Sequence, residues 1–173
     1  MCAYRISKYN PLFRTENGYY LNDEWTSYSD IGKIFYNKVF TKDDYLSFEN
    51  KYCDTVLSIL KYLNIKKITI ENLEIYFSKH KIKMLLNSKD LDFTKDDEKI
   101  IDSLSNGKVL KSTDLTRYVK LILRDCFWCQ LKNEEKSVII EFGQDFYIYV
   151  YCDYICESFI NEYKSKGIFI EKI

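Results

Sequence analysis

Residues 3 to 9, Ala-Tyr-Arg-Ile-Ser-Lys-Tyr, alternate apolar and polar side chains, which is the period of a strand buried on one face only. Asn10-Pro11 closes that strand, because proline has no N–H to give to a sheet ladder. From Leu12 to Ile34 the periodicity is weak. Asn17-Gly18 predicts a tight turn there, and Gly32 a bend. Ile34-Phe35 and Val39-Phe40, on either side of Tyr36-Asn37-Lys38, predict a small hairpin.

The period then lengthens. Tyr45, Phe48, Tyr52, Val56, Ile59 and Leu63 recur every three or four residues and predict a helix from Lys42 to Leu63. Leu46, Cys53, Leu57 and Leu60 widen its apolar stripe enough to meet more than one neighbour. The pentapeptide Phe-Thr-Lys-Asp-Asp occurs at 40–44 and again at 93–97. It suits a helix start: the threonine accepts from a free backbone N–H, and the aspartates sit at the positive end of the helix dipole. A second helix is expected over 95–105, stopped by Asn106-Gly107, and a third, capped by Ser112 or Thr113, up to about Arg124. Ile65 to Ile70 reads as a strand, whereas 72–92 carries no dominant period.

From Cys126 the period returns to two. Strands are expected at Phe127–Leu131, Val138–Phe142 and Phe146–Tyr151, with turns at 133–136 and 143–145. A helix over 153–166, ended by Gly167, and a last strand at Ile168–Ile173 complete the pattern. The order predicts a single α+β domain over residues 1–173, with a mostly antiparallel sheet and helices packed on one face.

Composition narrows the functional classes. The 26 basic and 26 acidic residues cancel, so no bulk attraction to nucleic-acid phosphate is expected. The lysines at 61, 66, 67, 79, 81 and 83, near Tyr76 and Phe77, read as a solvated face. No run approaches the length of a membrane span, and no secretory leader is visible after Met1, so the expected compartment is the cytoplasm with reduced thiols. The one histidine, His80, leaves little imidazole chemistry. Phosphate-binding loops, nucleophile elbows and metalloprotease motifs are missing, and no catalytic residue, metal ligand or cofactor is assigned.

Cys126-Phe-Trp-Cys129 and Cys152-Asp-Tyr-Ile-Cys156 come close to zinc-ribbon spacing. Positions i and i+3 of a strand point to opposite faces, however, so these read as buried free cysteines. Two segments suit partner binding. In the first, Tyr19, Tyr20, Asp23, Glu24, Trp25 and Asp30 combine aromatics with an acidic pair that no helix start explains. A plug for the sheet edge is the competing role of Trp25 and Tyr20. In the second, Asp145 precedes a strand with Tyr147, Tyr149 and Tyr151 on one face, which lies either under a helix or open to a partner.

Two strings carry a family resemblance. One is Tyr-Arg-Ile-Ser-Lys-Tyr-Asn-Pro at 4–11, continuing through Asn17-Gly18-Tyr19-Tyr20 to Glu24-Trp25-Thr26-Ser27 and Ser29-Asp30-Ile31-Gly32. The other is Phe127-Trp128-Cys129, then Phe-Gly-Gln-Asp-Phe-Tyr-Ile-Tyr at 142–149, ending at Gly167-Ile-Phe-Ile-Glu171. Over about a third of the chain these resemble small bacterial immunity proteins of polymorphic-toxin systems of the contact-dependent inhibition type. The resemblance implies a non-catalytic cytoplasmic protein that neutralises a cognate toxin domain by covering its active site; it carries over no binding residues by position. The alternatives are an RNA-acting accessory protein or hydrolase using Asp30, Asp145 and His80, and a zinc-stabilised adaptor.

Overall fold

The computed structural model describes residues 1–173. Its strands are β1 (Cys2–Ser7), the pair β2 (Ile34–Phe35) and β3 (Lys38–Val39), β4 (Lys67–Glu74), β5 (Val109–Lys111), β6 (Trp128–Asn133), β7 (Val138–Phe142), β8 (Ile148–Cys152) and β9 (Phe169–Lys172). Its helices are α1 (Lys42–Tyr62), α2 (Lys79–Asn87), α3 (Lys95–Asp102), α4 (Leu115–Leu123) and α5 (Glu157–Ser165). Seven strands form one antiparallel sheet in the order β5-β4-β6-β7-β8-β1-β9. The α+β class follows. The N-terminal strand lies between two C-terminal ones, and the edges, β5 and β9, are only three and four residues long. Short edges offer little free ladder to a stray strand.

Alternation decides which way the sheet faces. Tyr4 and Ile6 of β1, Ile68 and Ile70 of β4, Cys129 and Leu131 of β6, Ile140 of β7 and Val150 of β8 are all buried. They join Tyr45, Tyr52, Val56 and Ile59 of α1 and Leu115, Val119 and Ile122 of α4 in one core of 40 residues. Both copies of the repeated pentapeptide start helices as reciprocal caps: Thr41 accepts from the Asp44 amide, Thr94 from the Asp97 amide, and each aspartate bonds back to its threonine N–H. In the hairpin between β2 and β3, Tyr36 and Asn37 both take positive φ, as a two-residue turn requires.

Several boundaries differ from expectation. β1 stops at Ser7, because Lys8 and Tyr9 turn inward into the loop packing described below. The unassigned stretch divides: β4 runs on to Glu74, and Ser78 caps α2. Gly107 does not end a helix. α3 has finished at Asp102, and Gly107 (φ +80°) turns the chain into β5, which the pattern did not reveal. Neither Ser112 nor Thr113 caps α4; both lie in a 3-10 turn, and no side chain caps that helix. β8 starts two residues late because Asp145 and Phe146 are the positive-φ residues of its hairpin turn. α5 likewise starts only at Glu157.

One buried ion pair clamps the helical layer. Arg124, just past α4, donates from Nε and Nη2 to the two carboxylate oxygens of Glu49 on α1 at 2.6 and 2.7 Å, and from Nη1 to the Asp92 carbonyl at 3.2 Å. Glu49 is fully buried and Arg124 nearly so. Removing one partner strands the other charge in the interior, which costs about 3–5 kcal/mol. Glu49→Ala is therefore expected to lower the unfolding free energy by that amount in urea denaturation; a loss under about 1 kcal/mol would contradict the clamp.

Candidate functional site

The outer face of the sheet carries no comparable layer. The register sets Glu71, Gln130, Glu141, Tyr149, Arg5 and Glu171 side by side across six strands. The next row is Thr69, Lys132, Ile139, Tyr151 and Ala3. Every one of these residues is half-buried, while their inward neighbours are closed off. The tyrosine face of β8 is thus open rather than lying under a helix.

The two segments singled out in the sequence meet at one end of this face. Tyr9 packs edge-on against Tyr20 at 4.9 Å and at a tilt against Tyr147 at 5.1 Å, and its hydroxyl donates to the Asp145 carbonyl at 2.9 Å. Tyr147 in turn stacks on Tyr149. Arg14 lies near the rings of Tyr20 and Tyr147 and donates from Nη1 to the Tyr147 hydroxyl at 3.1 Å. Its Nε and Nη2 are buried without a hydrogen-bond partner, Nη2 lying 3.8 Å from Glu171. Glu171 also accepts two bonds from Arg5 across β1 and β9. Beneath the loop, the Lys8 ammonium sits 3.9 Å from the Tyr9 ring centre and 4.3 Å from that of Trp25, and bonds Glu24 at 2.9 Å. Burial lowers the Lys8 pKa, against the opposing pull of Glu24. Glu24 also accepts from the Tyr20 hydroxyl at 2.8 Å; burial, with that bond, pushes Tyr20 up to about 12.

These contacts sort the expected site residues. Tyr19 and Asp23 are exposed on the loop, Asp145 is exposed in the β7–β8 turn, and Tyr20, Glu24, Tyr147 and Tyr149 are half-buried. Trp25 and Asp30 are corrections: both are buried and offer no surface. Trp25 stacks on Phe40 at 4.6 Å and meets Tyr45, Phe48 and Phe146 edge-on, so it plugs the core. Asp30 accepts from the amides of Thr26 and Ser27 and from Lys33. Burial works to raise its pKa, but these donors outweigh that and hold it below the ordinary carboxylate value. His80 stands exposed in the first turn of α2, on a different element from Asp30 and Asp145. The six cysteines are free thiols, and no three His, Cys, Asp or Glu side chains converge on a possible metal position. No helix is long and apolar enough to cross a membrane.

A second feature went unread in the sequence. Beyond Trp128 the outer face ends in a groove of about 550 Å³, walled by Tyr76, Phe77 and Trp128 with Glu74, Asp125 and Gln144 among its polar members. Asp125 follows the end of α4 at φ +54°, where its N–H bonds the Ile122 carbonyl and the next N–H, from Cys126, bonds Leu121. Glycine usually fills this position, and the negative end of the helix opposes an acid there. That mismatch was the available signal. The Asp125 side chain is exposed at the mouth of the groove, yet crowding by the surrounding apolar walls, with no compensating donor, pushes its carboxyl up to about 6. By contrast, Lys8, Arg5, Arg14 and Glu171 gave no local sign, since Arg5 and Glu171 are 166 residues apart.

The chain matches no family model, no curated protein and no solved structure.

Two outcomes follow. Trp25→Ala empties a core position and is expected to cost about 3–5 kcal/mol in chemical denaturation, with Tyr19→Ala within about 0.5 kcal/mol of the parent. Equal effects would contradict the split between plug and surface. For Asp125 the sign runs toward acid. A pKa raised from 3.8 to about 6 contributes stability that is complete below 3.8 and lost as pH rises through about 6. Because the side chain is exposed, solvent screening discounts the effect, and Asp125→Asn is expected to raise Tm by about 1–2 °C at pH 8 and to leave it unchanged near pH 4. An equal shift at both pH values, read by differential scanning calorimetry, would contradict the raised pKa.

Proposed function

We propose that the protein is a cytoplasmic interaction module of the immunity type, which binds a cognate bacterial toxin domain and blocks it by occupying its working surface. One observation carries the reading: the open sheet face, with Tyr147, Tyr149 and Tyr151 in a row, runs without a break into the loop that displays Tyr19, Tyr20 and Asp23. Seven strands at about 4.8 Å spacing make a platform roughly 30 Å wide, the scale of one side of an ordinary protein–protein interface. Tyrosine supplies contact area at small entropic cost, and the cross-strand Arg5–Glu171 ion pair and Gln130–Glu141 hydrogen bond help leave the platform pre-formed. The carboxylates of Asp23 and Asp145 stand at its rim, where acids speed encounter with a basic toxin groove. The strings that resemble immunity proteins fall on β1, the loop up to Gly32, the start of β6, the β7–β8 turn with the start of β8, and β9.

The test is growth rescue. The proposed toxin domain, sought as the C-terminal domain of any large secreted protein encoded beside this gene, is expressed from an inducible promoter, with or without this chain. Rescue is expected with the parent and with His80→Ala, and about a hundredfold loss of complex affinity with Tyr149→Ala/Tyr151→Ala, the effect of two interface anchors. Rescue that survives the double variant with unchanged affinity would place the interface elsewhere; failure of the folded parent to rescue would overturn the function.

A further inference from the structure

The groove beyond Trp128 has a chemistry unlike that of the rest of the surface. Glu74 and Asp125 are its only charged members, and both are acids. The larger hollow, of about 630 Å³, lies over Lys66, Lys67, Lys132 and Lys136 but also Glu71, Glu134 and Glu135, so its charges offset one another, as Lys132 and Glu134 do at 3.2 Å. In the aromatic groove nothing offsets the acids. Its walls are π faces: Trp128 is held by its indole N–H, which donates to the Phe142 carbonyl at 2.6 Å, while Tyr76 and Phe77 project 62% and 42% exposed. Tyr76 donates its hydroxyl to Glu74, which aligns one wall with one carboxylate. The backbone turns outward here because Asn72 takes positive φ and the β4–β6 register slips between Glu71 and Glu74.

Aromatic faces attract cations through their quadrupole, and paired carboxylates select a cation that donates several hydrogen bonds at once. A planar guanidinium satisfies both, stacking on a ring and presenting a fork of N–H groups, whereas an ammonium offers a point charge. We propose that this groove receives an arginine side chain of the protein partner, with Trp128 and Tyr76 as the stacking walls and Asp125 and Glu74 as the acceptors. The inference rests on the protein-binding reading only for the source of the arginine. Position supports that source: Gly143 lines the groove, and a Cβ there would lie 2.8 Å from the Tyr149 ring, so the groove opens at the edge of the tyrosine platform. Desolvation without a free counter-charge explains why the Asp125 carboxyl sits so high: Glu74 lies across the groove, Tyr28, Tyr45 and Cys126 lie behind it, and the neighbouring Arg124 is engaged by Glu49.

The test uses the full chain, free of any partner. The 15N-labelled protein is titrated with N-acetyl-arginine methylamide, its lysine counterpart and the neutral citrulline isostere. The Trp128 indole N–H reports on the groove, and that of the buried Trp25 serves as control. A saturable Trp128 shift with a Kd of roughly 1–10 mM is expected for the arginine probe, and binding about tenfold weaker for citrulline, the value of a charge-assisted contact. Asp125→Asn is expected to weaken the arginine probe about fivefold, and Glu74→Gln, read the same way, stands in if that variant does not fold. No saturable shift by about 50 mM, or equal binding of citrulline, would overturn the pocket; lysine binding as tightly as arginine would overturn the guanidinium assignment. A silent titration alongside intact growth rescue defeats this inference alone. A positive titration with a parent that rescues nothing defeats the protein partner as the source.

Discussion

The fold depends on one constraint: a seven-stranded sheet is covered on one face only. Side chains in a strand alternate, so shifting any strand by one residue would exchange its buried set with its solvated set. That penalty fixes β1, which threads between β8 and β9 with Tyr4 and Ile6 inward and Arg5 outward. With β1 in register, both ends of the chain are bound into the sheet, and Glu171 comes to stand beside Arg5. The helices supply the cover, and the buried Arg124–Glu49 pair ties the two that lie deepest. The other face is left to solvent and to the loop that follows β1.

What it presents is held by charges placed among aromatic rings. Lys8, with a side chain 1% exposed, is sheltered by the rings of Tyr9 and Trp25 and neutralised by Glu24. Arg14 is nearly as enclosed, against Tyr20, Tyr147 and Glu171. A buried cation is costly unless an opposite charge and a polarised surface offset its lost hydration, and here both are present. The consequence is a loop that, without regular secondary structure, is anchored at two basic points to the end of the tyrosine row. The aromatic excess of the composition thus divides by position. Trp25, Tyr45 and Tyr52 fill the interior, whereas Tyr19, Tyr149 and Tyr151 face solvent to different degrees.

Local pattern revealed local structure. The period of α1, both threonine caps, the hairpin at Tyr36-Asn37 and the central strands were legible because each depends on neighbours a few residues away. Strand β5 was not, since three residues carry no period and it forms only because Leu110 meets Ile68 across the sheet. The candidate site was legible in its aromatics but not in its cations: nothing near Arg14 in the chain announces Tyr147, 133 residues away. Trp25 and Asp30 misled for the same reason, because an acidic and aromatic string reads alike whether its side chains point out or in. Burial turned Trp25 into core and Asp30 into a turn-holding acceptor, and left Tyr19 and Asp23 outside.

Hydroxyl-radical footprinting of the tyrosines, with and without the toxin domain proposed as partner, tests the open face most directly. In the free protein Tyr149 and Tyr151 should oxidise readily while Tyr4, Tyr45 and Tyr52 resist, and adding the toxin domain should protect the first pair without changing the second group. Tyrosines of β8 that resist oxidation in the free protein, or that oxidise equally in the complex, would contradict the account.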